Sequence, residues 1–333
     1  MLPRRIAMPS LFDTVSINGM TLANRFVRSA TWEGLASKDG AVTPLLTEKM
    51  VDLVKGGIGL IVTSYAFVAP EGQTSPRQLG AQGDRLLPGL AGMARSVRDA
   101  GGRIALQIVH GGAFANPDMT GFPAVGPSEG ERNRAATTED LARIVCAFAD
   151  AAGRAGKAGF DAVQIHAAHG FLISQFLSPA LNRRTDEYGG SLANRARLLL
   201  AVVGSVRKAV GSDYPILVKL NSEDFLEGGM TREECLQVAA MLEAASADAI
   251  ELSGGTIVSP EKFIAPRPGI LKTREEEVYY REAARGFRER VRIPLMLVGG
   301  IRSFEVAEEL VRDGVADFIA LSRPLIREPG LVR

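Results

Sequence analysis

Eight short apolar runs, each separated from the next by a longer segment, constrain the fold of this chain more than any other feature. Most of the runs are rich in Val and Ile, are bounded by Gly, Asp or Pro, and are too short for helices. Buried strands that alternate with helices form a parallel sheet covered on both faces. The predicted strands are Phe26–Ala30, Leu60–Val62, Ile104–Val109, Ala162–Ile165, Ile216–Leu220, Ala249–Leu252, Leu295–Val298 and Phe318–Leu321.

Eight strand-and-helix repeats favour a closed (β/α)8 barrel, the TIM barrel, over an open sheet. An open dinucleotide-binding sheet is disfavoured because no G-x-G-x-x-G follows the first run. We therefore predict an α/β protein in which residues 1–333 form a single barrel domain. The predicted helices include Leu45–Lys55, Leu90–Ala100, Leu141–Lys157, Ala193–Val210, Arg232–Ala245, Glu275–Val291 and Phe304–Arg312.

Two further kinds of segment complete the predicted barrel. Residues 14–22 predict a β-hairpin, because Asn18-Gly19 tolerates the positive φ angles of a type I′ turn. We expect this hairpin to plug the bottom of the barrel. Three long segments, 113–136, 170–188 and 254–273, follow predicted strands and so lie on the C-terminal face, where barrel active sites are found.

Charge and cysteine content exclude several classes of protein. The net charge of +1 argues against a dedicated nucleic-acid or anionic-membrane binder, which needs a basic face. No apolar stretch approaches the length of a membrane span, and the N-terminus does not resemble a signal peptide. Two cysteines, Cys146 and Cys235, exclude a disulfide framework and an iron–sulfur motif. We expect a cytoplasmic protein that acts on small molecules, with its self-association into a homo-oligomer left open.

The chain has three histidines, and all of them follow predicted strands. His110 ends the third strand, and His166 and His169 lie at and beyond the end of the fourth. Because strand ends of a barrel converge at its mouth, we expect these side chains to share one cavity. Acid–base catalysis and polarisation of a substrate carbonyl are both open uses. A zinc site is disfavoured, since no typical ligand spacing accompanies the histidines, and no metal is expected.

Other polar side chains occur within or after predicted strands. Gln107 lies on the third strand and Lys219 on the fifth. A lysine there is either a Schiff-base nucleophile or a fixed positive charge beside an anion. The last two strands end in Val298–Ile301, which contains Gly-Gly, and in Ala320–Arg323. Glycine backbone and an arginine after these strands predict a phosphate site.

The stretch Phe160–Pro179, which contains His166 and His169, continues in Leu181–Gly190 and Asn194–Arg197. Together these segments strongly resemble the signature of the old yellow enzyme family of flavin oxidoreductases. Shorter similarities run nearly from end to end of the chain. They are Leu11-Phe12, Asn24-Arg25, Gln107–His110, Gly126–Ser128, Ser253–Gly255, Gly299–Ile301 and Arg323–Ile326.

The resemblance implies bound FMN, reduction by NADPH or NADH, and hydride transfer to an α,β-unsaturated or other electrophilic acceptor. It implies that His166 and His169 grip the acceptor's oxygen and that Gln107 and Lys219 contact the flavin ring. The remaining flavin-binding residues implied by the resemblance are Ser29, Ala30, Thr31 and Trp32 at the flavin edge, Tyr65 through its backbone, and Gly299, Gly300, Ser322 and Arg323 at the phosphate.

Four positions depart from the family pattern. Phe171 replaces the usual proton-donating tyrosine, so water or another group, with Tyr188, Tyr65 and His110 as candidates, must supply the proton. The other departures are Trp32 for a Thr or Cys, Lys219 for an Arg, and Ala113 for an Arg after His110-Gly-Gly.

Two alternatives to an ene-reductase-like enzyme stay open at this point. Lys219 is compatible with a Schiff-base lyase or aldolase on a phosphate-binding barrel. The missing tyrosine is compatible with a non-catalytic flavin-binding protein.

Overall fold

The computed structural model describes residues 8–265, 267 and 269–333, and it confirms the predicted barrel. All eight predicted strands form, each within two residues of its predicted ends. Each strand pairs in parallel with its neighbour, and pairing of the last strand with the first closes the ring. The strands are β1 Phe26–Arg28, β2 Leu60–Val62, β3 Ile104–Val109, β4 Ala162–Ala167, β5 Ile216–Asn221, β6 Ala249–Ser253, β7 Leu295–Val298 and β8 Phe318–Leu321.

A helix follows each strand and covers the outside of the ring. Two of them begin at capping boxes, with Thr137 before α3 and Thr231 before α5, so their first N–H groups are satisfied by side chains. The helices are α1 Pro44–Lys55, α2 Leu87–Asp99, α3 Thr138–Ala158, α4 Leu192–Val210, α5 Arg232–Ala244, α6 Arg281–Arg290, α7 Phe304–Arg312 and α8 Arg323–Arg327. Two shorter helices, Pro117–Thr120 and Leu172–Leu177, lie in the loops.

The predicted start of α6 is wrong. A helix was expected from Glu275, but α6 begins at Arg281. Val278 has a φ of 62°, which a right-handed helix does not allow. The backbone N–H of Tyr279 also donates to the Gly299 carbonyl at 3.1 Å instead of to a helical turn. Residues 275–280 therefore tie this segment to the end of β7.

The N-terminal hairpin plugs the barrel as predicted. Val15–Ile17 and Met20–Leu22 pair antiparallel, and Asn18 and Gly19 have φ angles of 39° and 79°. Ile17, Met20 and Leu22 are buried in one cluster with side chains from the strands inside the ring. Since these side chains come from the first two residues of most of the strands, the hairpin closes the N-terminal end.

The ring's interior is layered, because alternate residues of a strand point to the same side. Near the hairpin the layer is apolar and includes Leu60, Ala105, Ala162, Leu217, Ala249, Met296 and Phe318. Two residues further along β3, β4, β5 and β6 the buried side chains are polar: Gln107, Gln164, Lys219 and Glu251. The interior therefore changes from apolar to polar toward the C-terminal mouth.

Two kinds of feature do not occur among the residues that the structure describes. None of their helices combines the length and apolarity that crossing a bilayer requires. Within the same residues, no three His, Cys, Asp or Glu side chains group in a way that would hold a metal ion.

Candidate active site

The polar layer of the interior is built around one buried ion pair. Lys219 Nζ lies 2.7 Å from Glu251 Oε1, and the two residues are 3% and 0% exposed. Ser29 Oγ lies 2.5 Å from the same carboxylate oxygen and accepts from Lys219 Nζ at 2.9 Å. The register of β5 and β6 places Lys219 opposite Glu251, so neighbouring strands supply the two charges.

Glu251 stays ionised in this layer. Burial alone raises the pKa of a carboxyl, but the charge of Lys219 and its hydrogen bonds hold the pKa of Glu251 below its ordinary value. The layer therefore pairs a carboxylate with the Lys219 ammonium. Lys219 Nζ is thus engaged by Glu251 and Ser29 inside the ring, an arrangement that does not favour the lyase alternative.

Two glutamines extend the ion pair across the ring. Gln164 Nε2 donates to Glu251 Oε2 at 2.7 Å, and Gln107 Nε2 donates to Gln164 Oε1 at 2.6 Å. The carboxylate accepts only, so it fixes which end of each amide donates. Gln107 Oε1 is left buried with no partner among the described residues. An orphaned acceptor of this kind indicates a missing donor on a ligand.

His166 and His169 lie side by side above this layer. Their ring centroids are 5.1 Å apart, with the rings nearly perpendicular. His166 Nδ1 accepts from the Ala168 N–H at 3.2 Å, so Nε2 is the nitrogen that carries a proton. His169 Nε2 bonds Ser253 Oγ at 2.7 Å, which leaves its Nδ1 for a ligand.

Both imidazoles are neutral near neutral pH. Burial lowers the pKa of His166 well below the usual value, and the neighbouring His169 and Lys219 lower it further. Burial and Lys219 do the same for the pKa of His169. A neutral pair can donate hydrogen bonds to a substrate oxygen without adding a fixed charge.

Phe171 packs against the histidine pair. Its ring lies edge-on to His166, with centroids 4.8 Å apart, and 5.6 Å from the ring of Tyr65. Tyr65 Oη in turn is 3.2 Å from Ser75 Oγ. Of the proposed proton donors, Tyr65 is thus beside Phe171, whereas Tyr188 packs on Phe176.

The third histidine does not join the pair in any contact of the described residues. His110 is buried, and the space beside its ring is closed by Gly72, where a Cβ would lie 2.7 Å from the imidazole. Burial lowers the pKa of His110 to about 4, while the charge of Glu71 opposes the shift. His110 Nδ1 accepts from the Gly112 N–H at 3.1 Å, and Nε2 has no partner within the described residues.

The glycines after β7 lie where the sequence predicts a phosphate site. Gly299 and Gly300 have φ angles of 117° and 73°. A Cβ on Gly299 would lie 2.8 Å from the Tyr280 ring, and one on Gly300 would lie 2.6 Å from the Tyr279 ring. Only glycine therefore fits at both positions.

The remaining predicted flavin contacts lie around the same rim. Thr31 Oγ1 is 2.8 Å from Ser322 Oγ, which joins the ends of β1 and β8. Arg323 is exposed, and its Nη1 donates to the carbonyl of Arg267 at 2.8 Å. Trp32 is 45% exposed, and Ala30 borders the apolar interior. The carbonyl of Tyr65 already accepts from Gln78 Nε2 at 3.2 Å.

Sequence analysis missed Gln164 and Glu251 as members of the site. Period-two spacing could have found them, because Gln164 is two residues before His166 and Glu251 two before Ser253. It also missed Tyr279, Tyr280 and Arg267, for which the sequence gives no periodic signal.

The structure combines a closed (β/α)8 barrel, a histidine pair above the polar layer and a glycine turn after β7. Together these features have the geometry of a cofactor-dependent barrel enzyme. The sequence profile of the NADH:flavin oxidoreductase / NADH oxidase family matches residues 10–333. The chain belongs to this family. Membership confirms the predicted family, a family of flavin oxidoreductases.

Three relatives illustrate the similarity. An NADH oxidase from Thermoanaerobacter brockii is 36% identical over 329 residues, which cover 96% of this chain and 50% of the relative. An NADPH dehydrogenase from Bacillus subtilis is 32% identical over 327 residues, covering 97% and 93%. The structure of an old yellow enzyme homologue from Zymomonas mobilis matches with a TM-score of 0.85 and 28% identity, covering 97% and 91%. The chain thus spans about half the length of the first of these relatives.

Proposed function

We propose that this chain is an FMN-dependent reductase that takes electrons from NADH or NADPH and delivers them to an electrophilic small molecule such as an enone. The proposal rests on the pair formed by His166 and His169. The pair lies above the polar layer, in which Gln107 Oε1 has no partner among the described residues. Two relatives, an NADH oxidase and an NADPH dehydrogenase, support a nicotinamide coenzyme as the reductant. A cytoplasmic location stays a prediction, and self-association into a homo-oligomer stays open.

The residues present fit FMN. Gln107 Oε1 is a buried acceptor without a partner in the described residues, and it suits an N–H group of the flavin's pyrimidine ring. Lys219 supplies a positive charge at the same level. Gly299 and Gly300 follow β7, where the loops of a barrel commonly hold a phosphate. When bound, FMN supplies the hydride chemistry, and the protein supplies orientation and electrostatics.

The role of the histidine pair follows from its protonation. His166 has its Nε2–H free, because Nδ1 accepts from the Ala168 N–H. His169 is held by Ser253 and Asn221, the latter through the His169 backbone N–H at 3.2 Å. With Ser253 Oγ donating to His169 Nε2, His169 Nδ1 also carries a proton, and two imidazole donors on one carbonyl or nitro oxygen would stabilise the negative charge that develops there as the acceptor is reduced.

Protonation of the acceptor's α-carbon is the step for which the site is poorly equipped. Phe171 has no proton to give, and its ring packs between Tyr65 and His166. A positioned general acid contributes about 10²–10⁴-fold to such a step. We therefore propose slow turnover of enones and faster turnover of quinones, which need no protonation at carbon.

The experiment is stopped-flow kinetics of the FMN-loaded protein without oxygen. NADH and NADPH are each tested for bleaching of the flavin band at about 450 nm, and the reduced protein is mixed with cyclohexenone or a quinone. We expect Phe171→Tyr to speed cyclohexenone alone. Phe304→Tyr, which adds the same hydroxyl to a ring stacked on Phe12, is the control.

Two results would contradict the proposal. If neither coenzyme bleaches the flavin, the chain is not an NAD(P)H-dependent reductase. If wild type reduces cyclohexenone as fast as quinone and Phe171→Tyr gives no gain, another group supplies the proton and the missing-acid argument is wrong.

A further inference from the structure

Arg267 stands among four aromatic rings in the loop that follows β6. Its Cζ lies 4.2 Å from the ring centroid of Tyr279 and 5.0 Å from that of Tyr280. The rings of Phe263 and Phe225 are 5.4 and 5.7 Å away, and these two rings stack on each other at 4.4 Å. Cation–π contacts of this kind fix the plane of a guanidinium without using its N–H groups.

Two of the three side-chain nitrogens of Arg267 are buried and unused. Nε and Nη2 are inaccessible to solvent and have no hydrogen-bond partner among the described residues. No carboxylate of those residues forms an ion pair with this guanidinium either. A guanidinium cannot lose its charge, and buried N–H groups without acceptors are costly. The arrangement therefore indicates an anionic ligand with oxygen acceptors.

The position of Arg267 indicates that this anion is a phosphate group. Tyr280 Oη donates to the Gly254 carbonyl after β6 at 3.1 Å, and the Tyr279 ring covers Gly300 after β7. The Arg267 carbonyl accepts from Arg323, which follows β8, at 2.8 Å. Arg267 is thus joined to the ends of the last three strands, and the loops after strands seven and eight form the usual phosphate site of a barrel.

The sequence around Arg267 restricts its backbone. Pro266 and Pro268 flank it, and a residue before a proline is disfavoured in the helical region. A stiff backbone and a guanidinium held on aromatic rings leave little conformational freedom to lose on binding. Such a side chain is preorganised for bidentate contact with a phosphoryl group.

We infer that Arg267 is a second arginine anchor for the phosphate of the bound flavin nucleotide, opposite Arg323 and beside Gly299-Gly300. The inference rests on the proposed function, because it assumes that the chain binds FMN. It goes beyond that function by giving the loop 254–273 a part in selecting a phosphorylated flavin over riboflavin. The Arg323–Arg267 contact would then couple the two anchors through the loop backbone.

The test compares two ligands that differ only in the phosphate. Apoprotein is titrated with FMN and with riboflavin, and binding is followed by quenching of flavin fluorescence. Arg267→Met removes the charge and the donors but keeps an apolar stem for the rings. We expect it to weaken FMN by about tenfold to a hundredfold, the range of a lost charge-assisted contact, and to change riboflavin by less than twofold.

Two further variants sharpen the result. Arg267→Lys keeps the charge but not the fork, so its loss of FMN affinity should be intermediate. Lys262→Met is the matched control, because Lys262 is a cation of the same loop that lies 4.8 Å over the Phe263 ring. It should leave both affinities unchanged. Thermal unfolding of each apoprotein confirms that the variants are folded.

Other outcomes overturn the inference. Equal losses of FMN and riboflavin affinity would mean that Arg267 only packs the aromatic rings, and unchanged affinities would mean that it lies outside the site. If wild type binds neither flavin, the proposed function fails by itself. Inorganic phosphate then tests Arg267 directly: stabilisation of wild-type apoprotein that Arg267→Met abolishes supports the anchor, and no stabilisation of wild type refutes it.

Discussion

The two halves of the barrel's interior are made from the same strands but from different kinds of side chain. Near the hairpin, Leu217 and Ala249 are part of a wholly apolar layer. Two residues further on in the same strands, Lys219 and Glu251 form a buried ion pair. Apolar packing contributes free energy directly, whereas a buried ion pair contributes little net stability. The half near the hairpin therefore stabilises the ring, and the half near the C-terminal mouth supplies the polar groups of the candidate site.

The first and largest effect tests whether the polar half stabilises the fold. Glu251→Leu leaves Lys219 buried without its carboxylate and should lower the free energy of unfolding by about 3–5 kcal/mol. The double variant Lys219→Met/Glu251→Leu should recover most of that loss while impairing flavin binding. Urea denaturation of the apoproteins measures the loss of unfolding free energy in the single variant and its recovery in the double variant.

A matched change in the apolar half completes this comparison. Phe318→Ala removes a buried ring and should also cost about 3–5 kcal/mol, but no second substitution of a polar partner can recover it. The comparison fails if the double variant at 219 and 251 stays as unstable as Glu251→Leu alone.

The second effect separates acceptor chemistry from cofactor binding. His166→Ala removes a donor to the acceptor oxygen and should slow reoxidation by an enone about 10²–10³-fold, the usual cost of one such donor. FMN affinity should not change. Ser253→Ala, which only frees His169 Nε2, should have a smaller effect. Unchanged reoxidation rates in both His166→Ala and His169→Ala would remove the pair from the mechanism.

The third effect is a loss of stability in acid that originates at His110, which follows β3 and is buried against Gly72. Burial lowers the pKa of His110 to about 4, whereas a histidine in the unfolded chain has its ordinary pKa of about 6.5. Between these two pKa values the unfolded chain binds a proton at His110 and the folded chain does not. The free energy of unfolding therefore falls as the pH falls. The contribution of His110 should reach about 3 kcal/mol at pH 4.

His110→Gln isolates this contribution. The variant cannot titrate at position 110, so its unfolding free energy should decline less steeply than that of wild type between pH 6.5 and 4. Denaturation curves across this range provide the measurement. Parallel declines would show that other groups account for the acid sensitivity.

The fold could be predicted from the sequence because its signals are local. Runs such as Ile104–Val109 and Leu295–Val298 are strands with the predicted bounds, and Asn18-Gly19 turns the hairpin. The late start of α6 escaped prediction because it depends on a hydrogen bond between Tyr279 and Gly299, which no helical periodicity reveals.

The site could be predicted only in part for the same reason. The predicted strand ends indicated His166, His169 and Lys219, but the partner of Lys219 depends on the register between β5 and β6. Register is a long-range property, so Glu251 looked like one acidic residue in an apolar run. Arg267 lies in a loop, where no periodic pattern assigns a direction to a side chain.

The backbone of His169 has a φ of 63°, in a region that L-residues with a Cβ seldom enter. Holding a non-glycine residue there costs on the order of 1 kcal/mol, and glycine or asparagine would relieve much of it. Selection for folding alone would therefore favour a different residue at position 169. A His169→Gly variant that is more stable but inactive would make this position a measured trade-off between stability and activity in the chain.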